Sequence, residues 1–363
     1  MKIGILTYHR VYNYGATLQA VALRLFLEKR GHQVFYIDYY PGYHRMMYQA
    51  FNVQALKRKG LRGKLYGLYI NCKYYFSKRA RIKVYDPFIE KQIVPYCIQD
   101  EKEKYDLIVY GSDQIWRKQP GLKIFNPIYF GENNYCTQRQ ISYAASMGEL
   151  NLDDSELAFL HRTLSKFNYV GVRELDLYNV MKPLNLNNLH ITIDPTLLLK
   201  SNEWDAVLHT KRIIDKPYIL FYKVRDSFKD KYVENFCRMK KMQLVRVYPF
   251  NCPSASDYNP DPSEFVSLIK YASFVLTSSF HGLAFSVIYR KEVFVSINSN
   301  TERLKGLMKS LGMEDRFIPY GNPIPTNILP LNYEIVHERW DAFQTDSARF
   351  LMEAVTDSAC SIL

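Results

Sequence analysis

Residues 2–38 read KIGILTYHRVYNYGATLQAVALRLFLEKRGHQVFYID. Residues 2–7 are a short apolar run. Leu18, Val21, Ala22, Leu25 and Phe26 then recur at helical spacing over 15–30, Gly31 stops the helix, and 34–38 restarts an extended run. Strand, helix and strand with a short return is the unit that builds a parallel sheet, so the chain reads as α/β.

Working outward, residues 43–85 are basic and aromatic and read as an inserted helical excursion. Residues 107–110 and 140–145 are further buried-strand candidates, ending at Gly111 and near Gly148, where a parallel sheet presents its ligand-binding edge. A helix over 152–166 and a strand over 169–173 follow. The polar stretch 183–188 marks the expected link, because the alternation then restarts: strand 218–223, helix 229–240, strand 243–248, helix 263–271, strand 274–277, helix 282–289, strand 293–297. The expectation is two doubly wound, Rossmann-like domains, 1–183 and 184–330, facing a cleft. A helical tail, 331–363, docks back on the first domain. A chain of 363 residues is longer than one core usually serves.

Composition narrows the class. The start MKIGILTYHR lacks the succession of a signal peptide, and no run approaches about 18 apolar residues, so the protein is expected in the cytoplasm. Six cysteines (Cys72, Cys97, Cys136, Cys237, Cys252, Cys360) form no C-x-x-C pair, which argues against a structural zinc site or a disulfide framework. The net charge of +12 is local: residues 43–85 hold eleven bases and no acid. H-E-x-x-H, Walker A and G-x-S-x-G motifs do not occur, which removes zinc protease, P-loop ATPase and α/β-hydrolase readings.

The most informative stretch is Thr277, Ser278, Ser279, Phe280, His281, Gly282, between a strand and a helix. Such a junction leaves N–H groups unpaired at the positive end of the helix and binds anions. His281 there either exchanges a proton beside a bound phosphate or carboxylate, or caps its own helix. Asn13, Tyr14, Gly15 and Ala16 turn into a helix that carries Gln19; this is either a sugar or phosphate hold or a structural turn. Gly111 to Trp116 puts Asp113, Gln114 and Trp116 at the same sheet edge, a trio suited to hydroxyls and a sugar ring, with Asp113 alternatively an N-cap. Arg173 beside Glu174, and Arg303, read either as anion grips or as salt bridges. Lys223 and Arg225 end the first strand of the second domain and are further candidates.

The strings N-Y-G-A-T-L-Q (13–19), Y-G-S-D-Q-I-W (110–116), Y-A-A-S-M-G (143–148), V-R-E (172–174), D-P-T-L-L-L (194–199) and S-S-F-H-G-L-A-F-S (278–286), in this order and at these separations, resemble the polysaccharide pyruvyl transferase family. The resemblance runs over about 2–317. It implies a fold similar to the GT-B glycosyltransferases, no metal or cofactor, phosphoenolpyruvate as co-substrate, and a sugar of a surface-polysaccharide precursor, polyprenyl-diphosphate-linked, as acceptor. It implies donor binding by Arg173, Ser279, Phe280, His281, Gly282 and Arg303, with Lys223 and Arg225 as further donor candidates and His281 as general acid and base. Asn13, Tyr14, Gly15, Gln19, Asp113, Gln114 and Trp116 would hold the acceptor. In members with arginine, an apolar residue and histidine at the junction, the arginine and histidine contact the donor; here Ser279 stands at the arginine position, so Arg173 and Arg303 are the expected substitutes. The basic segment 43–85 reads either as a surface for anionic membrane at the inner face or as a solvated charged face, and nucleic acid is not expected as a partner. The competing expectations are a GT-B glycosyltransferase using a nucleotide sugar and a non-catalytic glycan-binding member of the family.

Overall fold

The computed structural model describes residues 1–53, 56, 60–100, 102–119, 122–148, 150–224, 227–248, 258–298, 302–327 and 329–357. The opening forms as its pattern demands: β1 (Lys2–Leu6), α1 (Tyr14–Glu28) and β2 (Gln33–Ile37). The basic segment supplies α2 (Gly42–Tyr48) and the long α3 (Gly60–Gln92), after which come β3 (Cys97–Ile98), β4 (Lys104–Tyr105), β5 (Leu107–Tyr110), β6 (Cys136–Thr137) and β7 (Gln140–Ala145). Then follow α4 (Asp154–Leu164), β8 (Tyr169–Val172), α5 (Leu175–Met181), β9 (Leu189–Ile191) and α6 (Ser201–Leu208). Strands of the order β3-β2-β1-β5-β7-β8-β9 make one parallel sheet, while β4 pairs with β6 beside it.

The second unit runs β10 (Tyr218–Tyr222), α7 (Asp230–Lys240), β11 (Gln243–Val247), α8 (Pro262–Tyr271), β12 (Phe274–Thr277), α9 (Phe280–Ile288), β13 (Glu292–Val295) and α10 (Glu302–Leu311). Its parallel sheet is ordered β11-β10-β12-β13. Strands such as Leu-Ile-Val-Tyr in β5 and Tyr-Ile-Leu-Phe-Tyr in β10 are buried at every position, as helices on both faces require.

The first sheet extends past residue 183. β9 pairs with β8 through Val170–Leu189 and Val172–Ile191, and residues 195–198 pack among α1, α9 and the terminal helix, so the chain leaves the first layer only between α6 and β10. The polar run at 183–188 is a tight αβ return, capped by Asn185 in the left-handed region (φ 48°), not a linker. The tail is one helix, α11 (Tyr333–Thr356), and it lies on the first unit. Arg139 donates to the carbonyls of Ala354 and Val355 at 2.6 and 2.8 Å, Ser347 accepts from Ile193 N at 2.9 Å, and the Trp340 indole donates to Leu197 O at 2.9 Å.

One continuous apolar core runs through both units, from Ile3, Leu18 and Val109 to Leu220, Val275 and Val293. Separate cores cover the outer faces of the two sheets. The units are also tied by Tyr14 of α1. Its ring stacks on Phe265 at 4.1 Å, its hydroxyl donates to Pro260 O at 2.8 Å, and Arg81 of α3 donates to that hydroxyl and to Tyr248 O.

Candidate active site

In each sheet the chain first winds one way and then the other. The reversals fall between β1 and β5 and between β10 and β12, and in open α/β sheets the crevice beyond the carboxyl ends at such a point is where ligands bind. Here the two crevices meet. Tyr8 and Asn13 after β1, Asp113 and Gln114 after β5, Val224 after β10 and Ser278 to His281 after β12 line one cavity of about 360 Å³.

On the β12 side, Ser279 is the N-cap of α9: its hydroxyl accepts from Gly282 N at 3.3 Å, so the histidine does not cap its own helix. His281 is thereby free to point across the cleft. Its ring lies against Gly15 in the first turn of α1, and its Nε2 faces Asp194 Oδ2 at 3.6 Å. Gly282 is required by a different approach, because a β-carbon there would lie 2.4 Å from Thr277 Oγ1.

Asp194 is wholly buried. Its Oδ2 takes a 2.6 Å bond from Arg173 Nη1, and its Oδ1 accepts from the amide and hydroxyl of Thr196 at 3.0 and 2.7 Å. Burial alone would raise this carboxyl, but the His281 imidazole, the Arg173 guanidinium and the Thr196 amide outweigh it and hold the group well below the usual carboxylate range. Arg173 packs over the Phe280 ring at 5.2 Å. Glu174 Oε1 lies 3.6 Å from both Arg173 Nε and Arg303 Nε and takes a 2.5 Å bond from Ser146, so one carboxylate orients two guanidiniums. Both readings of Arg173 therefore meet in one residue: it is salt-bridged, and its buried Nε and Nη2 have no hydrogen-bond partner among the described residues. Phe280 and Arg303 line the main cavity and also an adjoining one of about 560 Å³ that contains Arg173 and Asp194.

The β1 and β5 side is aromatic. Tyr43, His44, Met47 and Tyr48 of α2 join Tyr8, with His44 edge-on to Tyr8 at 4.2 Å and to Tyr43 at 4.6 Å. Burial pushes His44 down to about 4, against the pull of the Asp113 carboxylate, so it is a neutral hydrogen-bonding ring at pH 7. Asp113 has φ 72° and accepts from Gln114 N at 2.8 Å; it opens none of the described helices, which removes the N-cap reading. Arg117 and Lys118 complete a cationic rim.

Several expected contacts stand elsewhere. Asn13 lines the cavity and caps α1 through Ala16 N, but Tyr14 is buried in the joint between the units. Gln19 is buried behind the cleft, donating to Thr7 Oγ1 and Ala16 O and accepting from Ser112 N, where it stitches the ends of β1 and β5 together. Trp116 is wholly buried, its indole donating to Tyr129 O and its ring stacked on Phe130, so it offers no face to a sugar. Lys223 alternates to the side of β10 away from the cleft, near the Phe221 ring, while Tyr222 and Val224 line the cavity. Arg225 lies outside the described residues. Two features were not expected from the sequence: Asp194, although it opens one of the quoted strings, and the α2 aromatics, which fall within the stretch read as an inserted helical excursion.

Away from the cleft, His9, Asp38 and Cys97 bring possible ligand atoms within 4.8 Å of one another. Asp38 Oδ1 faces His9 Nε2 at 3.2 Å, while its Oδ2 is taken by Arg10 at 3.0 Å and Gln99 at 3.2 Å, and His9 Nδ1 lies 3.0 Å from Thr7 O. This is a charge-paired network.

The cleft thus brings together a histidine backed by a carboxylate, two guanidiniums and a helix start, groups of the kind that bind anions. The family of polysaccharide pyruvyl transferases matches residues 13–300, and the chain belongs to that family. A search of the curated proteins found no match. Among solved structures, a functionally uncharacterized protein from Klebsiella pneumoniae is 12% identical, covering 87% of this chain and 92% of its own, with a TM-score of 0.46. UDP-GlcNAc 2-epimerase from Methanocaldococcus jannaschii is 11% identical, covering 98% and 99%, with a TM-score of 0.47. The calicheamicin glycosyltransferase CalG4 is 12% identical, covering 99% and 98%, with a TM-score of 0.42.

Proposed function

We propose that the protein transfers the enolpyruvyl group of phosphoenolpyruvate to a sugar of a polysaccharide precursor, carried on a polyprenyl diphosphate at the inner face of the membrane, and closes it into a cyclic pyruvate ketal. The observation that carries this reading is the His281–Asp194–Arg173 chain at the start of α9, inside a cleft of a family member. Phosphoenolpyruvate brings a carboxylate and a phosphate within one small molecule. Arg303, the Arg173 N–H groups and the open amides of α9 supply matching donors, with Arg173 and Arg303 in the place of the arginine that Ser279 replaces.

In this reading Asp194 holds the Nε2 edge of His281 and leaves Nδ1 to exchange protons with substrate. A proton delivered to the methylene carbon makes the adjacent carbon electrophilic. A sugar hydroxyl adds there and loses its proton to the base. The carbon–oxygen bond to phosphate breaks, phosphate departs with the electron pair, and a second hydroxyl adds and loses its proton to close the ketal. The guanidiniums stabilise the charge that develops on carboxylate and phosphate. Tyr8, Tyr43, His44, Asn13 and Asp113 form the acceptor wall, where aromatic faces and polar edges suit a sugar ring.

The test is phosphate release from phosphoenolpyruvate by purified protein with galactosyl, glucosyl and mannosyl lipid-diphosphate acceptors, each followed by mass. Acceptor-dependent phosphate with a matching ketal adduct is expected. Turnover of a nucleotide sugar without ketal formation would replace the reading with a glycosyltransferase, and acceptor binding without turnover of either donor would make the protein a glycan-binding member.

A further inference from the structure

Helix α3 carries two opposed faces. Gly67, Asn71, Arg81 and Tyr85 are buried against the body. At about 100° per residue, Leu61, Leu65, Leu68, Cys72 and Phe76 fall in one stripe on the far side. That stripe is in solvent: Leu61 is 74% exposed, Leu65 56%, Leu68 45% and Phe76 80%, and Cys72 is exposed too. It runs for about 22 Å at 1.5 Å per residue. The bases are disposed around it, Arg62 and Lys73 along one flank, Lys64 along the other, and Arg79 and Lys83 beyond Phe76. From Gly60 to Tyr85 the helix has seven bases and no acid. No described helix is long and apolar enough to cross a membrane.

We infer that the outward stripe of α3 is a docking surface for an anionic lipid bilayer, with Leu61, Leu65, Leu68 and Phe76 entering the interface and Arg62, Lys64, Lys73 and Arg79 meeting the headgroups. Charge decides the occupant. A second copy laid on the stripe would bring the same five exposed bases, Arg62, Lys64, Lys73, Arg79 and Lys83, against these with no acid to pair them, whereas an anionic surface neutralises them and buries the leucines and phenylalanine together. Exposed leucine and phenylalanine also distinguish the stripe from a purely basic nucleic-acid patch, which needs no apolar side chains. The surface gives the lipid-linked reading of the acceptor a physical contact, and its test does not depend on turnover.

The experiment is co-sedimentation of the full chain with vesicles of phosphatidylcholine alone or mixed in equal parts with phosphatidylglycerol, at low and high salt. The wild-type protein should bind the mixed vesicles and be released by salt, and Leu65→Ser/Phe76→Ser should weaken binding at least tenfold. Each of Lys73→Glu and Arg79→Glu should weaken it by about fivefold or more. Phe76→Trp adds a direct readout, since Trp116, Trp204 and Trp340 are buried: emission should shift to the blue on vesicle binding. Circular dichroism identifies which variants remain folded, and these positions contact solvent. Equal binding to both vesicle types, an unshifted emission from the Phe76→Trp variant, or full binding by the Leu65→Ser/Phe76→Ser variant would overturn the inference. So would a salt-stable dimer that the Leu65→Ser/Phe76→Ser variant dissociates, or binding to DNA with no binding to vesicles. A ketal-forming enzyme that fails these tests keeps its activity reading, and a vesicle-binding protein without turnover keeps this surface.

Discussion

A β-carbon built on Gly15 would lie 1.9 Å from Nδ1 of His281 and 2.2 Å from its Cε1, so the first turn of α1 is shaped by a side chain from the other unit. Glycine inside a helix costs roughly 1 kcal/mol relative to alanine, and here the cost secures the imidazole's seat. Gly15→Ala should therefore leave the protein folded, with the helix gaining propensity, and should lower kcat by about 100-fold through displacement of His281. Thermal unfolding and steady-state phosphate release on the same preparation measure the two effects. Full activity in a folded Gly15→Ala protein would mean that His281 does not act from this position.

Asp194 joins His281 to Arg173, and its loss leaves a buried guanidinium without its strongest partner. Asp194→Asn should destabilise the protein by about 3–5 kcal/mol, the range for breaking a buried pair. The folded fraction should turn over about 100-fold or more slowly, because the imidazole loses the group that orients it. Because the native carboxyl is held low, its contribution to stability is present above the ordinary carboxylate value and is lost as pH falls through the folded one. Wild-type stability should therefore fall more steeply with acid than that of Asp194→Asn, which starts lower and whose curve lacks this loss.

Much of this site was legible in the sequence, and the failures have physical causes. The strand-to-helix junction at Ser279 and the glycine turn at Gly15 are readable because each conformation leaves a residue-type signature. That they touch is not, because Gly15 and His281 belong to different units and no local pattern records a contact across a cleft. Gln19 and Trp116 were placed in the acceptor site by residue type, but a polar or aromatic residue one turn beyond a sheet edge can face either way, and both face inward. Asp194 sits after a three-residue edge strand too short to produce a period. The continuation of the first sheet beyond the link drawn at 183–188 was hidden for the same reason, since β9 follows the polar turn and is too short to give a recognisable run.

Arg303 lines the same cavity as Ser279, and in the proposed reading it supplies the cation that Ser279 does not. Arg303→Ala should raise KM for phosphoenolpyruvate by about tenfold to 100-fold, the value of a charged hydrogen bond, with a smaller effect on kcat. Ser279→Ala tests the other half of the substitution. It should lose about 1 kcal/mol of helix capping and leave KM nearly unchanged, because the hydroxyl is already bonded to Gly282 N. A large KM effect from Ser279→Ala with none from Arg303→Ala would reverse the two roles.

Arg81 belongs to the basic segment by sequence but is buried, bonding Tyr14 and the Tyr248 carbonyl at the joint between the units. Arg81→Met keeps the length of the stem and removes the charge. It should cost about 1.5–3 kcal/mol and loosen the joint, seen as faster hydrogen exchange in α1 and β11, with vesicle binding retained.

His9 provides a pH dependence separate from the chemistry. Burial alone would lower its pKa; hydrogen bonds to Asp38, Cys97 and Thr7 O more than offset that and raise it to about 9. A histidine whose folded value lies above its unfolded value of about 6.5 stabilises the protein fully below that value, and the contribution fades as pH rises through about 9. Asp38, held low by His9, Arg10 and Gln99 against its own burial, contributes above the ordinary carboxylate value and is lost in acid. The pair therefore supports the fold most strongly between about pH 4 and 6.5 and weakens on the alkaline side by an amount on the order of 1–3 kcal/mol. Thermal unfolding from pH 5.5 to 9.5 should show the wild-type Tm falling between about pH 6.5 and 9, while His9→Asn, which cannot take up the proton, starts lower and stays flatter. Parallel curves for the two proteins would show that His9 is neutral in the folded state and that Asp38 is held by Arg10 and Gln99 alone.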